Sequence, residues 1–593
     1  MNRENLLWLD ANGVLPDSFS ALLGRNGFRV AAAASGVKAL ELLDGETFDA
    51  ALLDLCFPEW DALELLTRIL EKKPGLPVFI AADGGFAERE SAALKRGALG
   101  ILRKPVDPSA LLAHLKTRKL QKLRQRIMGR IVVNLAKSEF DPVPYFRNLV
   151  PIDRFSQFYA FYGLTHHHPL YFAFDNSGLA GSYFLGKCEV EHSLLYKSDV
   201  RGDELKSKGQ VYAADGMRIP LHDDEVIRIK DSFLIKTLVH NYSHDPEDLE
   251  NFTIRNTVSL PYANIHGAPA EGCFLGPFAT ADLTALRNCV IGEYAYVQTG
   301  ELSNATVPPG LIWIKSGEKF EFRYAHDPEM LARYIRMVPG EEPAGLFMDF
   351  VEGRQDDFQP CFDQVCMLPA VNVPEWSAVS PYAVVKGDCR IDENVIVCQR
   401  AYLENARLGR GANAQEHCFI VDSELAGLNI TAHGGILIHC RMGKKVFVAF
   451  NSFLRGRADA PLRVGSGCMF MPHTIIDLEE PVEIPDRHVV WGFIRNREDL
   501  ARHSMAIDEL RKVRGEAGLG AMTFSGSGEA LVSAFEHRIE HILEANGAYY
   551  DGSEGIGHAQ KNQAMSFNTI RPYAEGPLKG FYPAIQIRPI EAP

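Results

Sequence analysis

Three polar side chains in the first part of the sequence could together bind a metal ion and a phosphoryl group. Asp10, Asp54 and Lys104 each lie at the end of a short apolar run that is typical of a buried β-strand. Two carboxylates provide oxygen ligands that suit magnesium, and an ammonium group suits phosphoryl oxygens. These residues are therefore the first candidates for a functional site.

Four histidines near the middle of the chain form a second candidate group. His417, His433, His439 and His473 each come three positions after a small or apolar residue of a six-residue repeat. This shared spacing predicts equivalent positions on different faces of a repetitive structure. One imidazole could act as a general base, and three neutral imidazoles could hold zinc with one coordination position open. The alternative is that they are corner histidines that bond the backbone.

Residues 1–117 alternate apolar runs with helical stretches, which predicts a doubly wound parallel sheet. Ligands of such sheets bind at the carboxyl ends of the strands. The predicted strands end near Asp10, Asp54 and Lys104, so we expect these side chains at one edge of the sheet. The strands are predicted at Leu6–Leu9, Ala50–Leu53, Val78–Ala82 and Gly100–Leu102.

The stretches LLWLDAN, ALLDLCFPEWDALELL and GALGILRKPVD resemble the receiver domains of response regulators. The resemblance implies that Asp54 is the phosphorylated carboxylate, that Asp10 and Asp54 hold magnesium, and that Lys104 contacts the phosphoryl oxygens. It also implies a sensor histidine kinase, or another receiver partner, as the source of the signal.

Three positions depart from the receiver pattern. The second acidic residue of the metal site is replaced by Ala11, the phosphoryl-binding Ser or Thr by Ala82, and the switch aromatic by Ile101. The metal site thus has one carboxylate fewer, and the relay from hydroxyl to aromatic is missing. A pseudo-receiver that serves only for docking or dimerisation is therefore the alternative to a phosphorylated switch.

A period of six residues recurs through much of the remaining chain, and neither a helix nor an ordinary strand has this period. Hexapeptide periodicity is the signature of a parallel β-helix, in which each repeat forms one face and one corner of a triangular coil. We therefore expect coils over residues 262–300 and 370–490, with Val385, Ile391, Val397, Ile436 and Val448 inside. The repeat residues are Cys273, Ala279, Ala285, Ile291 and Val297 in the first run, and Val373, Val379, Val385, Ile391, Val397, Leu403, Leu408, Ala414, Ile420, Ile430, Ile436, Met442, Val448, Leu454, Val464, Phe470 and Ile476 in the second.

These repeats, with the ending IPDRHVVWGFIRN, resemble the left-handed β-helix superfamily of hexapeptide acyltransferases and gamma-class carbonic anhydrases. The resemblance implies a homotrimer. It also implies acyl transfer from a CoA or carrier thioester to a small molecule, with His439 or His433 as the base. A non-catalytic assembly scaffold is one alternative.

A metal-dependent hydratase of the gamma carbonic anhydrase kind is the other alternative. Arg400, Asn413 and Gln415 match the arginine-containing coil of that family, whereas Tyr402 and Val421 replace its acidic residue and its first metal histidine. In this alternative His417, His433 and His439 hold zinc.

The sequence divides into four predicted segments: a receiver at 1–117, a helical linker at 118–150, a β-helix body at 151–495 with an insertion at 301–368, and C-terminal helices with a tail at 496–593. The C-terminal helices are predicted over 498–513 and 529–546, the second with Gly547 as its C-cap. A long basic helix is predicted from Pro105 to Leu135. It could bind nucleic acid, or it could dock its charges on an acidic body. The net charge of −14 favours docking.

Composition predicts a soluble cytoplasmic protein. The 593 residues contain no run of about 18 apolar residues and no apolar stretch typical of a signal peptide at the start. The eleven cysteines form no CxxC pair, which is typical of reduced thiols in the cytosol. We therefore expect no membrane span and no nucleic-acid partner.

Overall fold

The computed structural model describes all residues except 1–3, 11–16, 26–27, 58–59, 74–75, 84–86, 147–148, 151–153, 158–159, 165–170, 203–204, 215–216, 242–248, 364–370, 554–565, 571–585 and 588–593. Contacts between residues divide the chain into two compact units. The first consists of Met1–Lys122 with Ile152–Phe158 and Arg571–Pro583; the second consists of Leu123–Pro151, Tyr159–Ile570 and Ala584–Pro593. Ala11 lies outside the described residues.

The first unit contains the predicted parallel sheet with helices, which confirms the receiver fold. Its strands follow the order β2-β1-β3-β4-β5, all parallel. The strands are β1 (Glu4–Leu9), β2 (Phe28–Ala33), β3 (Ala50–Asp54), β4 (Val78–Ala82) and β5 (Gly100–Arg103), and the helices are α1 (Asp17–Arg25), α2 (Gly36–Gly45), α3 (Ala62–Lys72) and α4 (Ala87–Lys95). The sequence analysis did not include β2, whose exposed and half-buried residues hide its strand pattern.

Helix α5 (Pro108–Leu135) is one continuous helix, as the spacing of its leucines and isoleucines predicts. Leu111, Leu112 and Leu115 belong to the core of the first unit. In the second unit, Arg126 and Arg130 pair with the buried carboxylate of Asp231. These two basic side chains thus meet an acidic partner in the body. A 3₁₀ turn (Ala136–Ser138), α6 (Val143–Phe146) and α7 (Arg154–Gln157) follow.

The second unit contains two parallel β-helices, where the sequence predicted one body. The first β-helix has three faces around a core that includes Val200, Val239 and Ile265. Its faces are formed by Ala160–Leu164, Tyr183–Leu185, Asp199–Arg201, Leu238–His240, Asn264–His266, Thr280–Asp282, Tyr296–Gln298 and Leu311–Ser316; by Phe172–Asp175, Cys188–Glu191, Val226–Lys230, Asn251–Arg255, Ala270–Glu271, Thr284–Arg287 and Gly300–Ser303; and by Leu194–Tyr196, Phe233–Ile235, Val258–Ser259, Phe274–Leu275, Val290–Ile291 and Thr306–Val307.

The second β-helix repeats the arrangement around a separate core that includes Ile391, Val397 and Val448. Its faces are formed by Ala378–Val379, Ile396–Val397, Asn413–Ala414, Ile430–Thr431, Phe447–Val448, Met469–Phe470 and His488–Val490; by Val384–Lys386, Tyr402–Glu404, Phe419–Val421, Ile436–Ile438, Phe453–Arg455, Ile475–Asp477 and Phe493–Ile494; and by Arg390–Ile391, Arg407–Leu408, Glu424–Leu425, Cys440–Met442, Leu462–Val464 and Glu483–Ile484.

Three predicted repeat residues are wrong by one position. Leu286 and Leu437 occupy the inner core where Ala285 and Ile436 were expected. Strand pairing aligns Thr431, not Ile430, with the inward residue Ala414. Ile430 and Ile436 instead pack outside the prism against neighbouring elements. Outward faces that meet other elements are as apolar as the inner ones, so hydrophobicity alone does not fix the phase there.

The segment predicted as an insertion at 301–368 is only partly outside the repeats, because the first β-helix continues to Ser316. An antiparallel pair (Leu311–Ser316 with Phe320–Ala325) leads into helices α8 (Pro328–Tyr334), α9 (Leu346–Glu352) and α10 (Gln355–Asp363). Other strands of the second unit are Val211–Ala214, Met217–Pro220, Ala517–Leu519, Met522–Gly526, Ser566–Ile570 and Gln586–Ile587.

The helix predicted over 498–513 is wrong. It is replaced by α11 (Arg497–Arg502), a strand (Ser504–Ala506) that pairs with the second β-helix, and α12 (Ile507–Leu510). The second predicted helix is present as α13 (Gly528–Ala545), with Gly547 in a left-handed conformation just beyond it. Among the described residues, no helix is long and apolar enough to cross a membrane.

The two β-helices lie against each other through a polar seam between two apolar clusters. On one side, α13 packs with outward residues of both β-helices, such as Tyr296 and Phe447. On the other side, α8 to α10 pack with residues such as Tyr262 and Phe419. These clusters fix the β-helices relative to each other and keep the seam away from solvent. The seam holds most of the buried charged groups and histidines described below.

Candidate metal centre and receiver site

Parallel strand pairing stacks functional side chains on the first β-helix. We call the face that contains Asp199–Arg201, Leu238–His240, Asn264–His266 and Thr280–Asp282 the junction face. Its register aligns Arg201 with His240, His240 with His266, and His266 with Asp282. The preceding residue in each strand points into the prism: Val200, Val239, Ile265 and Ala281. Since successive side chains of a strand alternate, the aligned side chains point outward, toward the second β-helix.

The second β-helix presents one corner to the junction face. Arg400, His417, Gly434, Asn451 and His473 occupy equivalent turns there, each with a left-handed φ between 49° and 72°. We call this column the facing corner. The first four positions, 400, 417, 434 and 451, differ by 17 residues, which is one full coil.

His240, His266 and His433 form a cluster across the seam. One nitrogen from each ring lies within 4.8 Å of the other two. The ring centroids of His240 and His266 are 4.9 Å apart, and each lies 5.6 Å from that of His433. His240 and His433 are 7% and 5% exposed. The two β-helices thus jointly build a buried site from three imidazoles.

Two carboxylates orient two of these rings. His266 Nδ1 lies 2.8 Å from Asp282 Oδ1, and His433 Nδ1 lies 2.8 Å from Glu416 Oε2. An ionised carboxylate only accepts hydrogen bonds, so His266 carries its proton on Nδ1 and keeps the lone pair on Nε2. Metal-binding histidines in proteins commonly have such a carboxylate on the other ring nitrogen.

Burial and the neighbouring charges set the protonation states of His266 and Asp282. Burial lowers the pKa of His266 to about 4, against the opposing effect of Asp282, so the ring is neutral at pH 7. Arg538 of α13 holds the pKa of Asp282 well below its usual range despite burial, and Tyr296 donates a hydrogen bond of 2.5 Å to the same carboxylate. Glu416 pairs with Arg201.

The residues present fit a zinc ion. Three imidazoles are a common ligand set of catalytic zinc, and they leave one coordination position for water or substrate. The carboxylates behind His266 and His433 supply the outer contacts that such sites require.

His417 has a different role from the one predicted by the zinc hypothesis. Its Nε2 lies 2.7 Å from Asp199 Oδ2, and Arg400 Nε donates to both oxygens of the same buried carboxylate at 2.8 and 2.9 Å. Burial alone would raise the pKa of Asp199, but Arg400 and His417 together lower it. This buried group joins the two β-helices.

The predicted ligand set His417, His433 and His439 is therefore wrong as a set. Among the described residues, only His433 of these three belongs to the cluster. His439 lies on another corner of the second β-helix, half-buried, with Nδ1 3.8 Å from Asp422 Oδ2. The four histidines also do not share one position in the repeat. The inward residues before His433 and His439 are Thr431 and Leu437, one residue later than the predicted Ile430 and Ile436.

His473 is part of the facing corner and is fully buried. Its Nδ1 lies 2.9 Å from Tyr294 O and its Nε2 lies 2.9 Å from Thr280 Oγ1. Since a carbonyl only accepts, Nδ1 donates and Nε2 accepts from the threonine hydroxyl. Burial lowers the pKa of His473 to about 3. The ring thus bonds the backbone, which was the structural alternative for each histidine.

Sequence reasoning missed His240 and His266. Both end three-residue strands, LVH and NIH, directly after an inward aliphatic residue. That alternation is the one signal that could have placed them on an outward face. The distance along the chain to His433 gives no hint that the three meet.

Two small cavities lie at the seam, with volumes of about 10 and 20 Å³. The first is lined by Leu238 and Asn264, which come two residues before His240 and His266, and by Gly434, which follows His433; none of the three histidines is a lining residue of either cavity. Glycine is required at position 434, because a Cβ there would clash with Asn451 Oδ1. Both cavities are lined by Lys236 and Tyr262. Together they have room for about two water-sized molecules.

The receiver residues meet at the carboxyl edge of the first sheet. Lys104 Nζ lies 2.6 Å from Asp54 Oδ2 and 3.5 Å from Asp83 Oδ2. Burial lowers the pKa of Lys104, but the two carboxylates, mainly Asp54, outweigh this and raise it. Asp10 follows Leu9, which pairs with Leu53, so Asp10 and Asp54 end adjacent strands. Asp83 follows Ala82 and is an acidic group that the sequence analysis did not include.

Comparison with known proteins identifies both parts of the chain. The model of the response regulator receiver domain matches residues 7–116, and that of the hexapeptide repeat including loop matches residues 217–339. The crystal structure of a "putative acetyltransferase" from Desulfovibrio desulfuricans G20 is 54% identical and has a TM-score of 0.74. It covers 80% of this chain, and this chain covers 99% of it.

Two curated relatives match a short part of the chain. Transcriptional regulatory protein ZraR is 40% identical over 87 residues in Klebsiella oxytoca and over 96 residues in Escherichia coli K12, which is 15% and 16% of this chain. The chain spans only 20% and 22% of the length of these relatives.

Proposed function

The chain belongs to the hexapeptide-repeat proteins and carries a response-regulator receiver domain, and from this premise we propose that its two β-helices form a zinc-dependent hydratase of small molecules. The observation that supports this most strongly is the cluster of His240, His266 and His433 between the β-helices. Zinc bound by these side chains would act as a Lewis acid and make water a nucleophile near neutral pH.

The chain's own residues would prepare the site for this chemistry. Asp282 and Glu416 lie against two of the imidazoles; Arg538 keeps the pKa of Asp282 low, and Arg201 pairs with Glu416. The apolar clusters on either side exclude bulk water, which strengthens electrostatic interactions inside the site. The two cavities at the same seam are small, with volumes of about 10 and 20 Å³, which favours a very small substrate such as carbon dioxide.

Metal content and turnover test this proposal together. We expect the purified full-length protein to contain about one zinc per chain and to hydrate carbon dioxide, followed by an indicator in stopped flow. His240→Gln, His266→Gln and His433→Gln should each lose bound zinc and turnover. His439→Gln is the matched control, because that histidine lies on another corner. Wild type that binds no divalent metal, or variants that keep it, would refute the proposal.

Acyl transfer is the second candidate, and the 54% identity to the Desulfovibrio protein favours it. In this function an acyl-CoA or acyl-carrier thioester is the donor, and His433 or His439 is the base. The small cavities would then take only the acyl end of the donor. Thiol release from acetyl-CoA across amine and hydroxyl acceptors is the measurement. A positioned base contributes about 10²–10⁴-fold to rate, so one of the two His→Ala variants should lose that factor.

The receiver is proposed to control this output. A sensor histidine kinase or another phosphodonor would phosphorylate Asp54 with magnesium bound by Asp10 and Asp54, and helix α5 continues from the receiver sequence into the second unit. Hydration turnover of wild type should change on treatment with acetyl phosphate and magnesium, whereas that of Asp54→Ala should not. Equal turnover in both, with Asp54 labelled, would contradict this coupling. If metal and both activities are absent, the assembly scaffold remains.

A further inference from the structure

The larger of the two cavities at the seam is lined by an unusual set of side chains. Its lining is cationic, because the described residues around it include Lys197, Lys236 and Arg400 and no carboxylate. His417 is also a lining residue. The uncharged lining groups are Tyr262, Gln355, Phe358 and Phe419. Two carboxylates, Glu352 and Asp199, pair with these cations but are not part of the lining.

Lys236 is the central group of this cavity. It occupies a left-handed turn of the first β-helix, between the third face and the junction face, with φ of 47°. Its side chain is 14% exposed and its Nζ contacts Glu352 of α9. Tyr262 donates a hydrogen bond of 2.6 Å to Glu352 Oε1, and Gln355 Nε2 donates to Tyr262 Oη at 3.3 Å.

The cavity is shaped for a small ligand. It shares Lys236, Tyr262, His417 and Phe419 with the smaller of the two cavities described above. Its volume of about 20 Å³ suits one or two water-sized groups. A buried ammonium loses hydration, and a bound anion compensates for that loss better than a neutral molecule does.

We propose that this cavity is a binding site for a small monocarboxylate or similar oxyanion, with Lys236 as the principal donor and Gln355 and Tyr262 as further polar contacts. The site would select the charge and size of molecules that reach the histidine cluster. In this respect the inference rests on the proposed function, because it names the class of substrate or product. The anion site itself depends only on the residues of the cavity.

Glu352 competes with the anion for Lys236. Its side chain is 36% exposed and lies on α9, so it can turn toward water when an anion binds. Burial lowers the pKa of Lys236, and Glu352 acts in the opposite direction. Replacing the carboxylate by an amide removes a like charge next to the ligand. Binding of an anion should then become tighter.

Titration calorimetry on the metal-free full-length protein tests the proposal without relying on zinc. The probe is formate, the smallest carboxylate, with formamide as the neutral molecule of equal size. We expect the anion to bind and the amide not to bind. Lys236→Met should weaken anion binding about 10- to 100-fold, because one charge-assisted hydrogen bond is lost. Glu352→Gln should strengthen it several-fold.

Lys230→Met is the matched control, since Lys230 pairs with Glu191 at 2.7 Å on another face of the same β-helix. Its anion affinity should equal that of wild type. Wild type that binds formamide as well as formate, or Lys236→Met that binds formate normally, would overturn the site. If Lys236→Met does not fold, an unchanged or weaker affinity of Glu352→Gln overturns it. Zinc content of the wild type reports separately on the proposed hydratase.

Discussion

At the scale of single residues, the carboxylates determine what each histidine of the seam can do. Asp282 and Asp199 are both fully buried, and each contacts one arginine and one histidine. The difference lies in position. Asp282 supports His266 inside the three-histidine cluster, whereas Asp199 supports His417 outside it. Almost the same arrangement of carboxylate, arginine and histidine therefore supports the proposed metal site at Asp282 and joins the two β-helices at Asp199.

Asp282→Asn tests the first of these roles. The neutral amide no longer stabilises the Nδ1 proton of His266, and changes of this kind cost about 10–100-fold in metal affinity. We expect zinc affinity, measured by competition with a chelator, to fall by that factor. Asp199→Asn is the matched control and should keep wild-type affinity. Equal losses in both variants would mean that the effect is general destabilisation.

Asp54→Ala tests the receiver at the same scale. Acetyl phosphate with magnesium should label wild type and leave the variant unlabelled, as measured by intact mass. We expect slow labelling, because Ala82 has no hydroxyl for the phosphoryl group. Lys104 also holds Asp54 Oδ2 at 2.6 Å and must share that contact with the phosphoryl oxygens. Wild type that is never labelled would establish a pseudo-receiver.

At the scale of elements, the facing corner is a column of turns that needs left-handed backbone. Left-handed φ favours Gly and Asn, yet Arg400, His417 and His473 also adopt it. Hydrogen bonds to the first β-helix hold them there: His473 bonds Tyr294 O, and Asn451 Nδ2 donates to Phe278 O at 2.9 Å. At this corner, hydrogen bonds across the seam compensate for a backbone conformation that non-glycine residues rarely adopt.

The buried neutral state of His473 predicts acid sensitivity. Its pKa is about 3 in the folded protein and about 6.5 when unfolded, so the unfolded state binds more protons between these values. Stability is therefore retained above about pH 6.5 and falls as the pH decreases, by about 2–3 kcal/mol at pH 4.5. His473→Asn, which copies Asn451 one coil earlier, should show a shallower pH dependence in chemical denaturation. An unchanged slope would contradict this origin.

Two arginines of helix α5 pair with the buried carboxylate of Asp231, which lies in a left-handed turn of the first β-helix. Asp231 has no exposed side-chain surface, while Arg126 and Arg130 are 41% and 40% exposed. Removing both arginines leaves a buried charge without these partners and should cost about 1–3 kcal/mol of unfolding free energy. Asp231→Asn removes the charge, keeps a residue that tolerates φ of 49°, and should cost less. Denaturant titration of the three proteins compares them; the reverse order would refute the argument.

At the scale of the whole molecule, the second unit places two β-helices in one chain. A site that needs side chains from two prisms can thus form within a single chain, because the junction face and the facing corner are covalently linked. The third faces have charged outward residues such as Arg390, Arg407 and Arg441, which form part of an open groove. Contacts between chains would have to use faces other than the seam.

Assembly along the prism sides remains a prediction from the family resemblance. For a chain of 65.9 kDa, analytical ultracentrifugation should give three times that mass. Because the seam is complete within one chain, dilution that dissociates the trimer should leave bound zinc in place. Loss of zinc on dissociation would show that a second chain contributes to the site.

The sequence by itself determined the features that depend on local pattern. The receiver motifs placed Asp54 and Lys104 at strand ends, and the six-residue period predicted inward residues such as Val397 and Val448, because each coil packs on its neighbours with a fixed repeat. Only the tertiary structure decided that there are two β-helices and that His240 and His266 meet His433. Outward side chains carry no repeat signal. Their partners are set by how two rigid prisms and α13 bury apolar surface, which is a property of the packed chain and not of any short segment.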